Sequence, residues 1–226
     1  MEATSLCPST TSEGVMKRDT FLKRLLRGCW RARCRDDWRD VVGEDWTDEI
    51  MDVEVTDRFH AKQGRSTGRW ILRKGKTTLA VYLKRHYRLP WWQGFLSLFC
   101  PNRNNSPAMQ EASHLEWARA QGLKVPEVVA VAERSGPFTG LQSVLAVEEL
   151  QEMLPLHEAI PLAAETLDSR TFYLWKRSLI EEVARIARVL HQKKHFHKDL
   201  YLCHFYIHRH CTTHLPTWRD RVYLID

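Results

Sequence analysis

His195-Phe-His-Lys-Asp-Leu-Tyr-Leu-Cys-His-Phe205 is the stretch that decides how the rest of the chain is read. Asp199 stands two residues after His197 and five before His204. A second isolated carboxylate, Asp226, closes the apolar run Val222-Tyr-Leu-Ile225. A loop carboxylate can take a proton from a hydroxyl, and an imidazole or a strand-end Asp can hold a metal ion. The 27 residues from Asp199 to Asp226 leave room for one hairpin between them. Together Asp199, His204 and Asp226 outline a transfer site; each alone is a weak signal.

Outward from this segment, 226 residues allow one large domain or two small lobes, and 43% hydrophobic content is enough for a core. Nine Trp point to large aromatic packing or an interfacial surface. No run of 18 apolar residues appears, so no transmembrane helix is expected. The polar, Ser/Thr-rich stretch from Met1 to Thr20 lacks the apolar centre of a secretory signal. The six cysteines show no CxxC pair and no disulfide spacing, which favours a reducing, cytoplasmic setting. Lys17 to Arg39 holds nine Lys/Arg against three Asp, which accounts for the whole net charge of +6. The remainder is near neutral, which argues against a nucleic-acid binder and for one local basic arm.

Residues 1–16 read as a disordered tail. Over 17–33, Phe21, Leu22, Leu25, Leu26, Cys29 and Trp30 recur at helical spacing between basic residues. That pattern predicts a basic amphipathic helix, either peripheral on an anionic membrane or packed with a solvated basic face. Met51–Val55, Phe59–Trp70 and Thr77–Arg85 predict strands, with Leu79, Val81 and Leu83 on one face and Lys84 on the other. A long connection follows, carrying Trp91-Trp92 and Phe95 to Phe99. A helix is expected over 108–121, stopped by Gly122, then strands at Val128–Val131 and Leu141–Val147. Residues 171–194 form the clearest helix, with Phe172, Trp175, Leu179, Val183, Ile186 and Leu190 as its buried stripe. Short strands at Tyr206–His208 and Arg221–Ile225 complete the order. The chain divides into a tail and basic helix (1–40), an antiparallel-sheet lobe with one helix (41–148), and a mainly helical segment bearing the loop (149–226).

Phosphoryl transfer needs positioning and charge neutralisation more than covalent chemistry, and each part has a candidate. Gly64 and Gly68 are placed to bend a hairpin over phosphates, although a plain turn explains them equally well. Lys84 follows the apolar run Leu79–Leu83 and is placed to hold phosphate oxygens. Its carboxylate partner is Glu111 or Glu116; five residues apart, the two project to different faces. Asp199 is the candidate base, His197 a loop-fixing residue, and Lys198 a positive charge beside the transferred group. His204 is placed to bind metal or to hydrogen-bond Asp199, and Asp226 to chelate Mg2+. A zinc site built from His195, His197, Cys203, His204, His208, His210, Cys211 and His214 is the competing reading, with spacings that match no standard finger.

Lys198-Asp-Leu-Tyr-Leu-Cys-His-Phe205 resembles the catalytic loop of the bacterial lipopolysaccharide core kinase family, which has a protein-kinase-like fold. Lys84-Arg-His-Tyr-Arg-Leu-Pro90, Glu111 with Gly122-Leu-Lys-Val-Pro126, and Val147-Glu-Glu-Leu150 extend the similarity over roughly residues 50–226. The resemblance implies an α+β, two-lobed kinase fold, with ATP and Mg2+ as cofactors and Glu148 in a nucleotide-binding hinge. It also implies transfer to a heptose or Kdo hydroxyl of the lipopolysaccharide inner core, at the inner face of the bacterial inner membrane. On this comparison the basic arm and Trp91 to Phe99 hold the enzyme at that leaflet, unless the aromatics pack between the lobes. Members of that family continue beyond the Asp that matches Asp226. That implies an incomplete helical lobe and a partly exposed 172–190 stripe. The alternative is therefore a truncated, inactive nucleotide-binding module. A kinase of the same fold with another acceptor is less favoured, because His204 stands where those enzymes usually carry Asn.

Overall fold

A computed structural model describes residues 29–54, 57–62, 64–75, 77–87, 89, 106–136 and 140–225. The tail, most of the basic arm, Trp91 to Phe99 and Asp226 lie outside these residues.

The upper lobe is a six-stranded antiparallel sheet. Its strands are β1 (Cys29–Cys34), β2 (Asp57–Lys62), β3 (Arg65–Lys74), β4 (Thr77–His86), β5 (Val128–Gly136) and β6 (Gly140–Glu148), in the order β1-β5-β6-β4-β3-β2. The Thr77–Arg85 alternation becomes β4, and Gly75, at φ 61, supplies the left-handed residue of the β3–β4 turn. Leu79, Val81 and Leu83 pack on the outer face against Trp38, Trp46 and Ile50. These come from two short helices, α1 (Asp36–Val42) and α2 (Trp46–Glu49), which end beside the turn at 50–52.

Two expectations fail here. Residues 29–33 are not helical: β1 pairs with β5 from Cys29↔Ser135 to Cys34↔Ala130. A hydrogen-bonded neighbour almost a hundred residues away overrides local helical spacing. Nor do Met51 to Glu54 form a strand. The guanidinium of Arg85, 1% exposed, donates to the carbonyls of Ile50, Met51 and Val53 at 3.2, 3.2 and 2.6 Å. Those carbonyls would otherwise need strand partners, and a cation bound to several of them fixes the chain as a turn.

On the inner face lies α3 (Pro107–Ala120), entered through Ser106, whose hydroxyl accepts from the Met109 N–H at 3.3 Å. It ends at Gly122, whose φ of 75 suits glycine. Below the sheet come β7 (Met153–Pro155), α4 (Leu156–Thr166), α5 (Ser169–Gln192), β8 (Phe205–His208) and β9 (Val222–Leu224), with β7-β8-β9 forming a small sheet. Helix α4 was not expected; Pro161 lies inside it and masks the helical signal.

The 172–190 stripe, expected to be partly exposed, is buried at Trp175, Leu179, Ile186 and Leu190 (0, 3, 1 and 6% exposed) and only partly buried at Phe172 and Val183. The chain between β8 and β9 folds back over them. Trp175 Nε1 donates to the Cys211 carbonyl at 2.8 Å, and Trp218 Nε1 to the Trp175 carbonyl at 3.3 Å. The apolar residues that α5 does expose, Tyr173, Leu174 and Ile180, are not members of the stripe.

Candidate active site

The candidate side chains fall into two groups, one on the sheet lobe and one on the loop after α5. The first hangs from the sheet. Register places Lys84 opposite Thr67 on β3 and Leu145 on β6, on the face away from Trp38. There its ammonium donates to Glu111 Oε1 on α3 at 2.7 Å, with both side chains about a fifth exposed (21% and 22%). Glu116 points elsewhere, to Arg33 on β1. The choice between the two carboxylates thus falls on Glu111.

Gly64, at φ 75, forms the β2–β3 turn, and its carbonyl accepts from the Tyr87 N–H at 2.8 Å. Gly68 does not share that turn. It sits within β3 opposite Leu83, buried in the sheet. Glu148 is likewise not brought to Lys84. It pairs with Val81 on the outer face, where Arg35 holds its carboxylate together with Asp37 and Glu127. A carboxylate that the sequence reading missed lies one residue on. Glu149 accepts a bidentate pair of hydrogen bonds from Arg69 at 2.7 and 2.9 Å. Arg69 stands opposite Tyr82, on the Lys84 face, so it ties the inter-lobe connection to the sheet. The β3 alternation, continued outward from Thr67, could have found it.

His86, on the same face as Lys84, is held neutral well below the usual imidazole range, at about 4. Burial is the main cause, with repulsion from Arg65 and Lys84 adding to it. Its Nδ1 lies 3.3 Å from the Ser143 hydroxyl.

The second group lies on the loop after α5. The Asp199 N–H donates to His197 Nδ1 at 3.2 Å, and His197 Nε2 lies 3.2 Å from the Ile225 carbonyl. The two bonds together require the tautomer that carries its proton on Nε2. His197 thus ties the loop to the end of β9, one residue before Asp226. The His204 carbonyl accepts from the Ile225 N–H at 2.9 Å, and the His197 and His204 rings are 5.4 Å apart. Asp199 and Lys198 are exposed. His197, Asp199, His204 and the β9 end therefore assemble as a unit.

The zinc reading does not hold among the described residues: no three His, Cys, Asp or Glu are arranged to hold a metal ion. His208, His210 and His214 instead stack in sequence, with ring centres 5.2 and 6.0 Å apart. A surface cavity of about 880 Å³ lies between the α3–β5 connection and the lower sheet, lined by Arg119, Lys124, Glu127, Glu148, His208 and Tyr223 among others. Its lining includes Glu148 and Glu149 but none of Lys84, Glu111 or Asp199.

Residues 56–226 match the model of the lipopolysaccharide kinase (Kdo/WaaP) family. The chain belongs to that family. It is 26% identical, over 151 residues, to the lipopolysaccharide core heptose(I) kinase WaaP of Pseudomonas aeruginosa. That match takes in 62% of this chain and 52% of the relative, so the chain spans about half the length of the curated relative it matches. Among solved structures it is similar to WaaP in complex with acyl carrier protein, with a TM-score of 0.57 and 22% identity, over 87% of this chain and 70% of that one. The likeness supports the fold alone: this family member has the α+β, protein-kinase-like architecture, with an antiparallel-sheet lobe above a mainly helical one.

Proposed function

We propose that this chain is an ATP-dependent kinase that phosphorylates a heptose or Kdo hydroxyl of the lipopolysaccharide inner core. The observation that carries the reading is the 2.7 Å Lys84–Glu111 pair, which joins strand β4 to helix α3, the helix whose Trp117 stacks on His195 at the start of the Asp199 loop. Lys84, fixed by Glu111, binds phosphate oxygens as a point charge. Asp199 takes the proton of the sugar hydroxyl and orients its oxygen for attack. His197 holds Asp199 through the backbone, and Lys198 adds positive charge near the phosphoryl group as it moves.

The donor set suits a hard divalent cation only in part among the described residues, because it offers one imidazole, His204, and no carboxylate cluster. Asp226 is the carboxylate we assign to Mg2+. Asp226 and His204 would hold the ion, which would supply positive charge against the phosphates. Among the described residues no helix is long and apolar enough to cross a membrane. We assign the contact with an anionic leaflet, and with it a position at the inner face of the inner membrane, to the basic arm and to Trp91 and Trp92.

The test is transfer of label from ATP to dephosphorylated inner-core lipopolysaccharide, with wild-type chain beside Asp199→Asn. Label on the sugar that vanishes in the variant is expected. Equal label in both, or nucleotide binding without transfer by the wild type, would overturn the reading; the second result would leave a nucleotide-binding module.

A further inference from the structure

The Lys84–Glu111 pair and the Asp199 loop belong to different lobes, so something must set the distance between them. The indole of Trp117 on α3 and the imidazole of His195 lie face to face, with centres 3.6 Å apart and planes 13° apart. His114, one turn earlier on α3, meets the same imidazole edge-on at 6.1 Å. Burial and the neighbouring His195 both lower the pKa of His114, which favours its neutral form.

His195 is itself anchored, because its N–H donates to the Leu190 carbonyl at the end of α5 at 3.0 Å. Two residues later comes His197, which bonds the Asp199 N–H. On the helix side, Glu111 precedes Trp117 by six residues, about 9 Å along the axis. A second tether follows the helix: the Lys124 carbonyl accepts from the Leu224 N–H at 2.9 Å.

We infer that Trp117 and His195 are positioning residues, whose stack fixes the Asp199 loop against the helix that carries Glu111. Flat rings in contact resist sliding apart and tilting, so the stack constrains both the spacing and the angle of the loop. The geometry stands apart from the kinase reading; only the consequence for turnover rests on it. Neither ring touches the reacting atoms. Loss of the stack therefore shows in the chemical step and leaves nucleotide affinity, set by Lys84 and Glu111, alone.

The experiment compares the full chain with His195→Ala and His195→Phe, measuring turnover, ATP affinity, and hydrogen exchange of the loop amides 196–204. Ala should lower kcat by about 100-fold, the scale of an ångström of misplacement. ATP affinity should stay unchanged and loop exchange should quicken. Phe, which preserves the flat face, should recover most of both losses. The inference is overturned if Ala leaves turnover and loop exchange as in wild type, or if Phe is as poor as Ala. If the wild type itself transfers no phosphate, the kinase reading fails instead. Loop exchange then decides alone, with faster exchange in Ala and recovery in Phe supporting the stack and equal rates removing it.

Discussion

The sheet side and the loop side of the site are built by different means. Lys84 is held by two ladder neighbours, by the 2.7 Å bond to Glu111, and by a half-buried setting beside His86. Asp199 is exposed and is held through the backbone, with one bond to His197 and one from the Tyr201 N–H to its own carbonyl at 2.8 Å. A cation that must bind phosphate gains from being fixed before the ligand arrives. A base that must reach a bulky acceptor gains from an open approach. Substitutions on the sheet side should therefore act on nucleotide affinity, and those on the loop side on turnover.

The largest expected effect is that of Asp199→Asn. It keeps shape and removes the proposed proton acceptor. Turnover should fall on the order of 1,000-fold, within the usual range for a general base, while ATP affinity stays intact. A parallel loss of ATP affinity would break the division of labour between the two sides.

Glu111→Gln comes next. It keeps the length of the side chain but removes the charge that steadies Lys84. One charge-assisted hydrogen bond at a partly exposed site corresponds to about 10- to 100-fold in kcat/KM. The loss should appear mainly as weaker ATP binding, read by titration calorimetry. Unchanged binding would mean that Lys84 needs no partner.

His86 sharpens the same contrast through pH. Its folded pKa, about 4, lies below the ordinary imidazole value of 6.5, so the unfolded chain binds the extra proton first as pH falls. Stability from this group is whole above pH 6.5, declines as pH falls from there, and is fully lost below about 4. At pH 5 the loss is about 2 kcal/mol, taking 1.36 kcal/mol per unit. Denaturant midpoints for wild type and His86→Gln should differ in slope over that window. Parallel curves would show that His86 does not carry the effect.

The two sides were also unequally legible. Strand alternation around Leu79 to Leu83 put Lys84 on the inner face, and the 3–4 spacing of Trp175, Leu179 and Ile186 marked α5. These are local patterns with a strong period. Strand β1 was not legible, because Trp30 and Cys34 form a strand only through β5. Neither was the turn around Arg85, whose partners lie more than thirty residues earlier. Glu148 and Glu149 differ only in which face of the sheet they meet, and a register shift of one residue reverses that choice. On the loop side, the interval from His197 to His204 was plain. The bond from His197 to Ile225 was not, since it needs the closed β8–β9 hairpin.

The smallest expected effect is the strictest check on the sheet side. Glu116 lies on the same helix as Glu111 and pairs with Arg33, both side chains being nearly half exposed (46% and 48%). Exposed pairs of this kind contribute about 0–1 kcal/mol and are screened by salt. Glu116→Gln should therefore leave ATP affinity and turnover at wild-type values and shift the thermal midpoint only slightly. The five-residue step between the two carboxylates turns them about 140° apart on α3, too far for both to serve one ammonium. If Glu116→Gln weakened ATP binding as much as Glu111→Gln, the helix would have to sit rotated from its place in this structure. The Lys84–Glu111 pair and the Trp117–His195 stack would then both have to break, since one helix carries them. A difference between two isosteric substitutions five residues apart thus reads out the rotation of the whole helix.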